Sequence, residues 1–341
     1  MITPVPTMAG STGVGPRSPA LHLTNGDCTV SRLRGTGLAH VITPWRDVLH
    51  EGPVPDVPDV ELRRIRAQFL TRSGADDIGT EEELAARDRL VEEHRHGYYV
   101  LWFEADLYDQ LQIVQIVSQL RGLGVPPARV RLICVGEFVG VAHFAGLGQL
   151  SVDQLSRLPG IAAVDLTEAS FELAANAWAA LRARDPVGIR AIADAPSGEL
   201  RFLAEAFDRL AREYPSTRDG LSLTERRILA AIEEGASTAG DVFSRVSGRE
   251  PRPFLGDTWC FDRMTTLMRA PVPLLGTQDD GTVVRRDSRV HLTQDGRRVL
   301  AGRDDHVVLN GLDRWVGGVH LSGHDVPWRW DEGLEAITTV G

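Results

Sequence analysis

The chain contains no lysine, so all 37 of its cationic side chains are arginine. Without lysine there is no Schiff-base nucleophile and no phosphate-binding P-loop or kinase-type lysine, and pyridoxal phosphate held as an imine is excluded. The three cysteines, Cys28, Cys134 and Cys260, are far apart and form no C-x-x-C pair. Such a low, odd count predicts neither a disulfide framework nor a cysteine zinc site, and it makes the cytoplasm the expected location.

Long apolar runs are also missing, because no stretch reaches the roughly 18 residues that a membrane-spanning helix needs. Met1–Pro19 is rich in glycine, proline, serine and threonine and lacks a continuous apolar segment, which predicts a flexible tail over residues 1–19 and not a signal peptide. Within it, Gly10–Gly15 looks like a phosphate-binding loop. No strand precedes it, so the Rossmann fingerprint is not met.

Positive charge is in deficit, with 37 cationic against 47 acidic side chains and a formal net charge of -10. This balance argues against extensive contact with nucleic acid or an anionic membrane. The chain has 341 residues, of which 43% are hydrophobic. We therefore expect a globular protein of two or three domains, with enough apolar residues to fill a core without disulfides.

Residues 20–166 alternate between the two periods of regular structure. Five apolar runs predict strands, at Ala20–Thr24, His40–Thr43, Tyr98–Phe103, Val130–Val135 and Ile161–Leu166. Helical patterns fall between them, at Thr29–Arg34, Val60–Leu70, Glu81–Glu93 and Leu107–Leu120. This alternation predicts a Rossmann-like α/β domain, with a parallel sheet covered by helices on both faces.

The rest of the chain changes character twice. Residues 167–219 are alanine-rich and predict a helical linker region, in which Trp178 packs into a core. Residues 220–341 predict a winged-helix-like α+β domain, with three helices, strand-like pieces including Val283–Arg286, and a fourth helix. Asn310-Gly311, between Val307–Leu309 and Leu312–Leu321, predicts the turn of a C-terminal hairpin.

Polar residues follow four of the predicted strands. In order along the chain, these four loops carry Asn25, Gly26 and Asp27; Trp45, Arg46, Asp47, His50 and Glu51; Glu104, Asp106 and Asp109; and Gly136 and Glu137. In open parallel sheets, ligands bind beyond the carboxyl ends of the strands. The four loops therefore predict one functional cleft.

The chemistry of these loops suggests roles for their residues. Asp27, Asp47 and Asp106 are a hard oxygen set that suits Mg²⁺ or Mn²⁺. His50, Asp47 and Asp106 are the candidate catalytic groups, with His50 as general acid or base near neutral pH. The predicted substrate-binding residues are Asn25, Gly26, Trp45, Arg46, Glu51, Glu104, Asp109 and Glu137.

Three of these residues have a more specific basis. Arg46 suits a phosphate or carboxylate because its guanidinium donates in two prongs, and Asn25-Gly26 lets a ligand approach the backbone. Structural roles are the alternative for others: Asp106 as a helix cap, His50 bonded to a carbonyl, and Trp45 packed in the core. The predicted helix at 257–268 has few cations, so we expect no appreciable DNA binding.

Five stretches resemble a known family: ALHLTNGD, ITPWRDVLHEGPVP, LWFEADLYDQLQ, GLDRWVGGVHL and WRWD. They are similar to the bacterial domain-of-unknown-function family numbered 1835, most strongly over residues 20–145, with its usual C-terminal extension. The resemblance implies no catalytic assignment, so the site predicted above depends on the positions of the strand ends.

Together these observations predict a cytoplasmic enzyme that binds a small anionic, phosphorylated or nucleotide-like molecule. Hydrolysis or group transfer assisted by a divalent cation is the expected chemistry. One alternative is a ligand-responsive regulator whose winged helix binds DNA. Another is a noncatalytic partner protein of a biosynthetic or defence gene cluster. The oligomeric state is left open.

Overall fold

A computed structural model of the chain describes residues 20–39, 41–72, 80–141, 144, 146–278 and 281–340. The tail predicted at 1–19, its glycine-rich motif and His40 of the second predicted strand lie outside the described residues. Within the described ranges, none of the helices has the length and apolar character needed to cross a membrane.

The first part of the chain forms a five-stranded, mostly parallel sheet. Its strands are β1 (Leu21–Thr24), β2 (Val41–Pro44), β3 (Tyr99–Glu104), β4 (Val130–Val135) and β5 (Ala163–Asp165). Their order is β2-β1-β3-β4-β5, and β5 alone is antiparallel. The prediction of an all-parallel sheet is wrong at this edge, because the chain re-enters the sheet opposite Ile133, near the end at which β4 leaves it.

Helices cover both faces of this sheet. They are α1 (Asp27–Gly35), α2 (Asp59–Arg72), α3 (Glu81–Glu93), α4 (Leu107–Gly122) and α5 (Val152–Ile161). Leu101 and Phe103 of β3 join a main core with α4, while Trp102 between them packs on the opposite face with Leu33 of α1 and Leu158 of α5. The period of two in a strand produces this division.

The predicted helical linker region is part of the main core. It forms α6 (Glu168–Arg182), α7 (Val187–Ala193) and α8 (Leu203–Ala211). Phe171 and Leu181 of α6 and Phe207 of α8 pack in the same cluster as the sheet, and Trp178 is buried there as predicted. Burial of these large side chains stabilises the sheet and the helices together.

A second unit, at residues 221–300, has a core of its own, and we call it the three-helix unit after its first three helices. It contains α9 (Leu223–Glu233), α10 (Ala239–Gly248), α11 (Asp257–Arg269), β6 (Leu275–Thr277), β7 (Val290–Leu292) and α12 (Gln294–Leu300). Ser222 caps α9 through a capping box with Glu225. β6 and β7 form an antiparallel ribbon, but the predicted strand at Val283–Arg286 is wrong, because none of those four residues pairs in a sheet.

The C-terminal segment returns to the main core. It contains α13 (His306–Asn310), β8 (Leu312–Val316), β9 (Val319–Gly323), β10 (Trp328–Asp331) and β11 (Ala336–Thr339). The hairpin predicted around Asn310-Gly311 is wrong: this pair ends α13, and Gly317-Gly318 makes the turn between β8 and β9. Asn-Gly suits a helix end as well as a hairpin, and here the Asn310 side chain is bonded to the backbone of Val272.

Candidate functional site

The strand order brings two of the four polar loops together. From β1 the chain moves to β2 on one side and, two helices later, to β3 on the other, so the β1 and β3 loops flank a topological switch point. Open α/β sheets bind ligands in the crevice at such a point. Across it, Asn25 Nδ2 donates a hydrogen bond to Asp109 Oδ2 at 3.1 Å.

Three carboxylates converge beside this crevice. Glu104 ends β3, Asp106 caps the N-terminus of α4, and Asp109 lies in the first turn of that helix. One oxygen from each lies within 4.8 Å of the others, and in the part of the chain that the structure describes no other three His, Cys, Asp or Glu side chains do so. We call Glu104, Asp106 and Asp109 the acidic cluster. These are ligand types that suit a hard divalent cation.

Burial raises the pKa of all three carboxyl groups of the acidic cluster. Desolvation, and then the charge of Asp106, raises the pKa of Glu104 to about 8. Desolvation also raises the pKa of Asp106 to about 6, against hydrogen bonds from backbone amides and the charge of Arg252. The pKa of Asp109 lies well above its ordinary value because of burial and the two neighbouring carboxylates. Clustered carboxylates of this kind are relieved by a proton or by a cation.

The protein supplies specific partners for part of this charge. Leu147 N donates to Glu104 Oε1 at 2.6 Å, and Glu104 N donates to Asp109 Oδ2. A Cβ at Gly146 would lie 2.6 Å from Glu104 Oε2, so a residue without a side chain is needed there. By contrast, Asp109 Oδ1 is buried and has no hydrogen-bond partner among the described residues. A buried carboxylate oxygen without a partner is costly, and a bound cation would relieve that cost.

The loop after β4, which carries Gly136 and Glu137, and the three-helix unit line the other side of the site. Gly136, Pro251, Arg252 and Pro253 line a cavity of about 20 Å³ together with Glu104 and Asp106. That volume suffices for one water molecule or ion. Beyond it runs a groove of about 1100 Å³ that shares Gly136, Pro251 and Pro253 with the small cavity. Glu137 is exposed and lines this groove.

The second loop does not supply the predicted metal and catalytic groups. Asp47 is 1% exposed, and Arg66 Nε and Nη2 both donate to its Oδ1, at 3.0 and 2.8 Å. Trp45 packs in the main core with Arg87 Cζ 3.7 Å from its ring centroid, so the core-packing alternative holds for it. The predicted metal set of Asp27, Asp47 and Asp106 is therefore wrong, since only Asp106 belongs to the acidic cluster.

Arg46 and Asp27 neutralise each other near the surface. Arg46 Nη2 lies 2.5 Å from Asp27 Oδ1, and Arg46 Nη1 lies 3.5 Å from Glu83 Oε1. The backbone of Arg46 is left-handed, with φ 56°. At Gly26 a Cβ would meet no described atom within 4 Å, so packing does not require glycine there. The ligand-clamping role predicted for Arg46 stays a prediction.

His50 is a core residue. It is 6% exposed, contacts Tyr108 and Phe254 edge to face, and has no hydrogen-bond partner on either ring nitrogen among the described residues. Desolvation, supported by Arg66, Arg209 and Arg263 and opposed by Glu213, lowers its pKa to about 3. The neutral imidazole is therefore the form at physiological pH, which argues against proton transfer by His50.

Glu51 binds a partner from another part of the chain. Arg263 Nη2 on α11 donates to both of its carboxylate oxygens, at 2.8 and 2.9 Å. This ion pair lies on the floor of a second cavity, of about 790 Å³, between the sheet domain, α11 and β8. Arg314 and Glu225 also pair on that floor. Because these charged groups pair with one another, this cavity is a weaker candidate than the acidic cluster.

The sequence predicted the carboxylates of the site but not Arg252. Glu104, Asp106 and Asp109 follow a strand in sequence, whereas Arg252 lies far along the chain and reaches the site only because the three-helix unit packs against it. The Pro251-Arg252-Pro253 sequence, an arginine between two prolines, is the one local signal that stands out there.

No protein-family model matches the chain, and no curated protein is similar to it. Membership of the domain-of-unknown-function family 1835 therefore stays a prediction based on the five sequence stretches.

Proposed function

We propose that this protein is an enzyme that binds a divalent cation, Mg²⁺ or Mn²⁺, at the acidic cluster and holds a small anionic ligand there for hydrolysis or group transfer. The observation that carries the proposal is the convergence of three carboxylates at the switch point between β1 and β3. Switch points are where open α/β sheets bind ligands, and buried carboxylates with raised pKa values are common at functional sites.

Each residue of the site would have a separate role in binding the cation and the ligand. Glu104, Asp106 and Asp109 would exchange their protons for the cation. Asn25 and the amide of Leu147 orient two of these carboxylates through the hydrogen bonds described above. The cation would stabilise negative charge on the ligand and lower the pKa of a bound water. The adjoining groove offers space for the rest of a phosphorylated or nucleotide-like molecule.

The finer fold assignments belong to the same proposal. A strand order of β2-β1-β3-β4-β5 with helices on both faces supports a Rossmann-like domain with an antiparallel edge strand. Three helices followed by the β6–β7 ribbon support a winged-helix-like unit.

The alternative of a DNA-binding regulator has that winged-helix outline in its favour, but the packing of α11 opposes it. Trp259 of α11 stacks on Phe69 of α2, with ring centroids 5.4 Å apart. Arg263 of the same helix is held by Glu51. The helix that would enter the major groove is thus packed against the sheet domain.

The test is titration of metal-free protein with Mn²⁺ and Mg²⁺ by calorimetry. We expect Asp106→Asn to weaken cation binding by about tenfold or more, because it removes one charged ligand while asparagine still caps α4. The matched control is Asp27→Asn, which removes an exposed carboxylate outside the acidic cluster and is expected to leave the affinity unchanged. Absence of binding and of thermal stabilisation at millimolar cation would refute the proposal.

A further inference from the structure

Arg252 belongs to the three-helix unit and lies beside the acidic cluster. Its side chain borders the small cavity that Glu104 and Asp106 line, although it follows them by more than a hundred residues. Pro251 and Pro253 flank it and restrict the backbone on both sides. An arginine held on a stiff segment loses little conformational freedom when it binds a ligand.

Partners within the protein position the Arg252 guanidinium but leave some of its N–H donors unused. Arg252 Nε donates to Glu205 Oε2 at 3.0 Å, Nη1 donates to Gly136 O at 3.3 Å, and Cζ lies 4.6 Å from the ring centroid of Phe202. Among the described residues, Nη2 has no hydrogen-bond acceptor, and neither Nη1 nor Nη2 pairs with the acidic cluster. A guanidinium has five N–H donors, so several remain for a ligand.

The lack of a side chain at Gly136 lets the Arg252 guanidinium come close to the backbone there. A Cβ at this position would lie 2.2 Å from Arg252 Nη1 and 2.8 Å from Ala105 Cβ. Only glycine therefore lets the arginine reach the carboxyl end of β4 in this way. The fourth loop, the β3 loop and the three-helix unit thus meet around one small cavity.

The acidic cluster also has a feature that points to a ligand independently of Arg252. Asp109 is fully buried, yet its Oδ1 has no hydrogen-bond partner among the described residues. Its carboxylate converges with those of Glu104 and Asp106. A site with converging carboxylate oxygens on one side and free guanidinium donors on the other can hold a cation and an oxyanion side by side.

We propose that Arg252 binds an oxygen of the ligand's terminal oxyanion while the cation at the acidic cluster binds another. The ligand class is then a molecule with a terminal phosphate or carboxylate, and Arg252 is a specificity-determining residue supplied by the three-helix unit. This inference rests on the proposed function, because it needs the cation at the acidic cluster.

The experiment measures cation and anion binding separately on the full chain. Mn²⁺ is titrated first by calorimetry, and inorganic phosphate or acetate is then titrated at saturating Mn²⁺. We expect Arg252→Gln to bind Mn²⁺ as tightly as wild type or more tightly, but phosphate about tenfold or more weakly, because a charge-assisted hydrogen bond is lost. Arg252→Lys, which keeps the charge but loses the planar fork, is expected to be intermediate.

The matched control is Arg249→Gln, three residues earlier, where the arginine pairs with Glu234. It is expected to bind both Mn²⁺ and phosphate as wild type does. Preferential binding of acetate, lost in Arg252→Gln, would also support the inference and identify the oxyanion as a carboxylate.

Each of the remaining outcomes overturns either the inference alone or the inference together with the proposed function. If wild type binds no Mn²⁺, the proposed function and the inference both fail. If wild type binds Mn²⁺ but neither anion, or if Arg252→Gln binds the anion as wild type does, only the inference fails. A thermal melt of each variant identifies unfolding. If Arg252→Gln does not fold, Arg252→Lys, which keeps the charge and loses the planar fork, provides the second test: anion binding as tight as in wild type would overturn the inference.

Discussion

At the scale of single residues, the environment of each carboxylate decides what it can do. Asp47 and Asp106 both follow a strand closely in sequence. Arg66 donates twice to Asp47 in a buried ion pair, whereas Asp106 faces two further carboxylates. The first arrangement stabilises a fixed charge, and the second favours exchange of a proton for a cation.

Glu104 makes the stability of the metal-free protein depend on pH. Its pKa is about 8 in the folded protein and near 4.5 ordinarily, so between these pH values the folded state binds more protons than the unfolded state. The free energy of unfolding therefore falls as pH rises through this window. We expect the melting temperature of wild type to fall more steeply from pH 5 to pH 8 than that of Glu104→Gln, whose side chain can still accept from Leu147 N.

The control for this prediction is saturating Mn²⁺. A cation takes the place of the protons, so it should stabilise wild type more at pH 8 than at pH 5. Equal pH slopes for wild type and Glu104→Gln would show that Glu104 is ionised throughout this range.

At the scale of elements, the packing of α11 against the sheet domain is the feature that local sequence does not reveal. The helix carries Trp259 and Arg263 four residues apart, and therefore on one face. That face meets Phe69 and Glu51. Because Trp259 and Arg263 both contact residues of the sheet domain, α11 connects the three-helix unit to that domain.

The ion pair between Glu51 and Arg263 is expected to stabilise this connection measurably. Both side chains are largely buried, at 14% and 10% exposure, so Glu51→Gln leaves a buried guanidinium with Glu225 at 3.6 Å as its nearest remaining partner. Breaking such a pair costs about 3 kcal/mol of unfolding free energy. Urea denaturation of Glu51→Gln, Arg263→Gln and the double variant measures the coupling.

The control is Arg269→Gln, which changes an exposed arginine of the same helix and should cost no more than about 0.5 kcal/mol. A cost of that size for Glu51→Gln, with no coupling in the double-variant cycle, would contradict the expected role of the pair.

At the scale of the whole molecule, the described residues form three apolar clusters, one on each face of the sheet and one in the three-helix unit. The C-terminal segment leaves the three-helix unit and packs Val316, Leu321 and Trp330 into the main core. The three-helix unit is therefore an insertion between parts of the chain that share one core. This arrangement places Arg252 beside the sheet and α11 against it.

Net charge and this arrangement together predict no appreciable affinity for duplex DNA. The chain carries a formal charge of -10, and α11, which would enter a groove, is packed against the sheet domain. Fluorescence anisotropy with a labelled duplex at physiological salt should show no binding at micromolar protein. Tight binding that weakens steeply with added salt would favour the regulator instead.

The sequence by itself determined the features that depend on near neighbours in the chain. Periodicity predicted the strands of residues 20–166 and four of the five helices, but missed α5. The cap of α4 by Asp106 and of α9 by Ser222 followed from residue type and position. The carboxylates after β3 were also predictable, because a strand end fixes which side chains come next. Asn310-Gly311 was ambiguous, since one local signal serves two structures.

Only the tertiary structure decided which of those residues meet. The strand order brought the β1 and β3 loops together and left the β2 loop to bury Asp47 and His50. Arg252 reached the site through the packing of a unit that lies far along the chain. Burial and ionisation depend on neighbours distant in sequence, and these long-range contacts have no local periodicity from which they could be predicted.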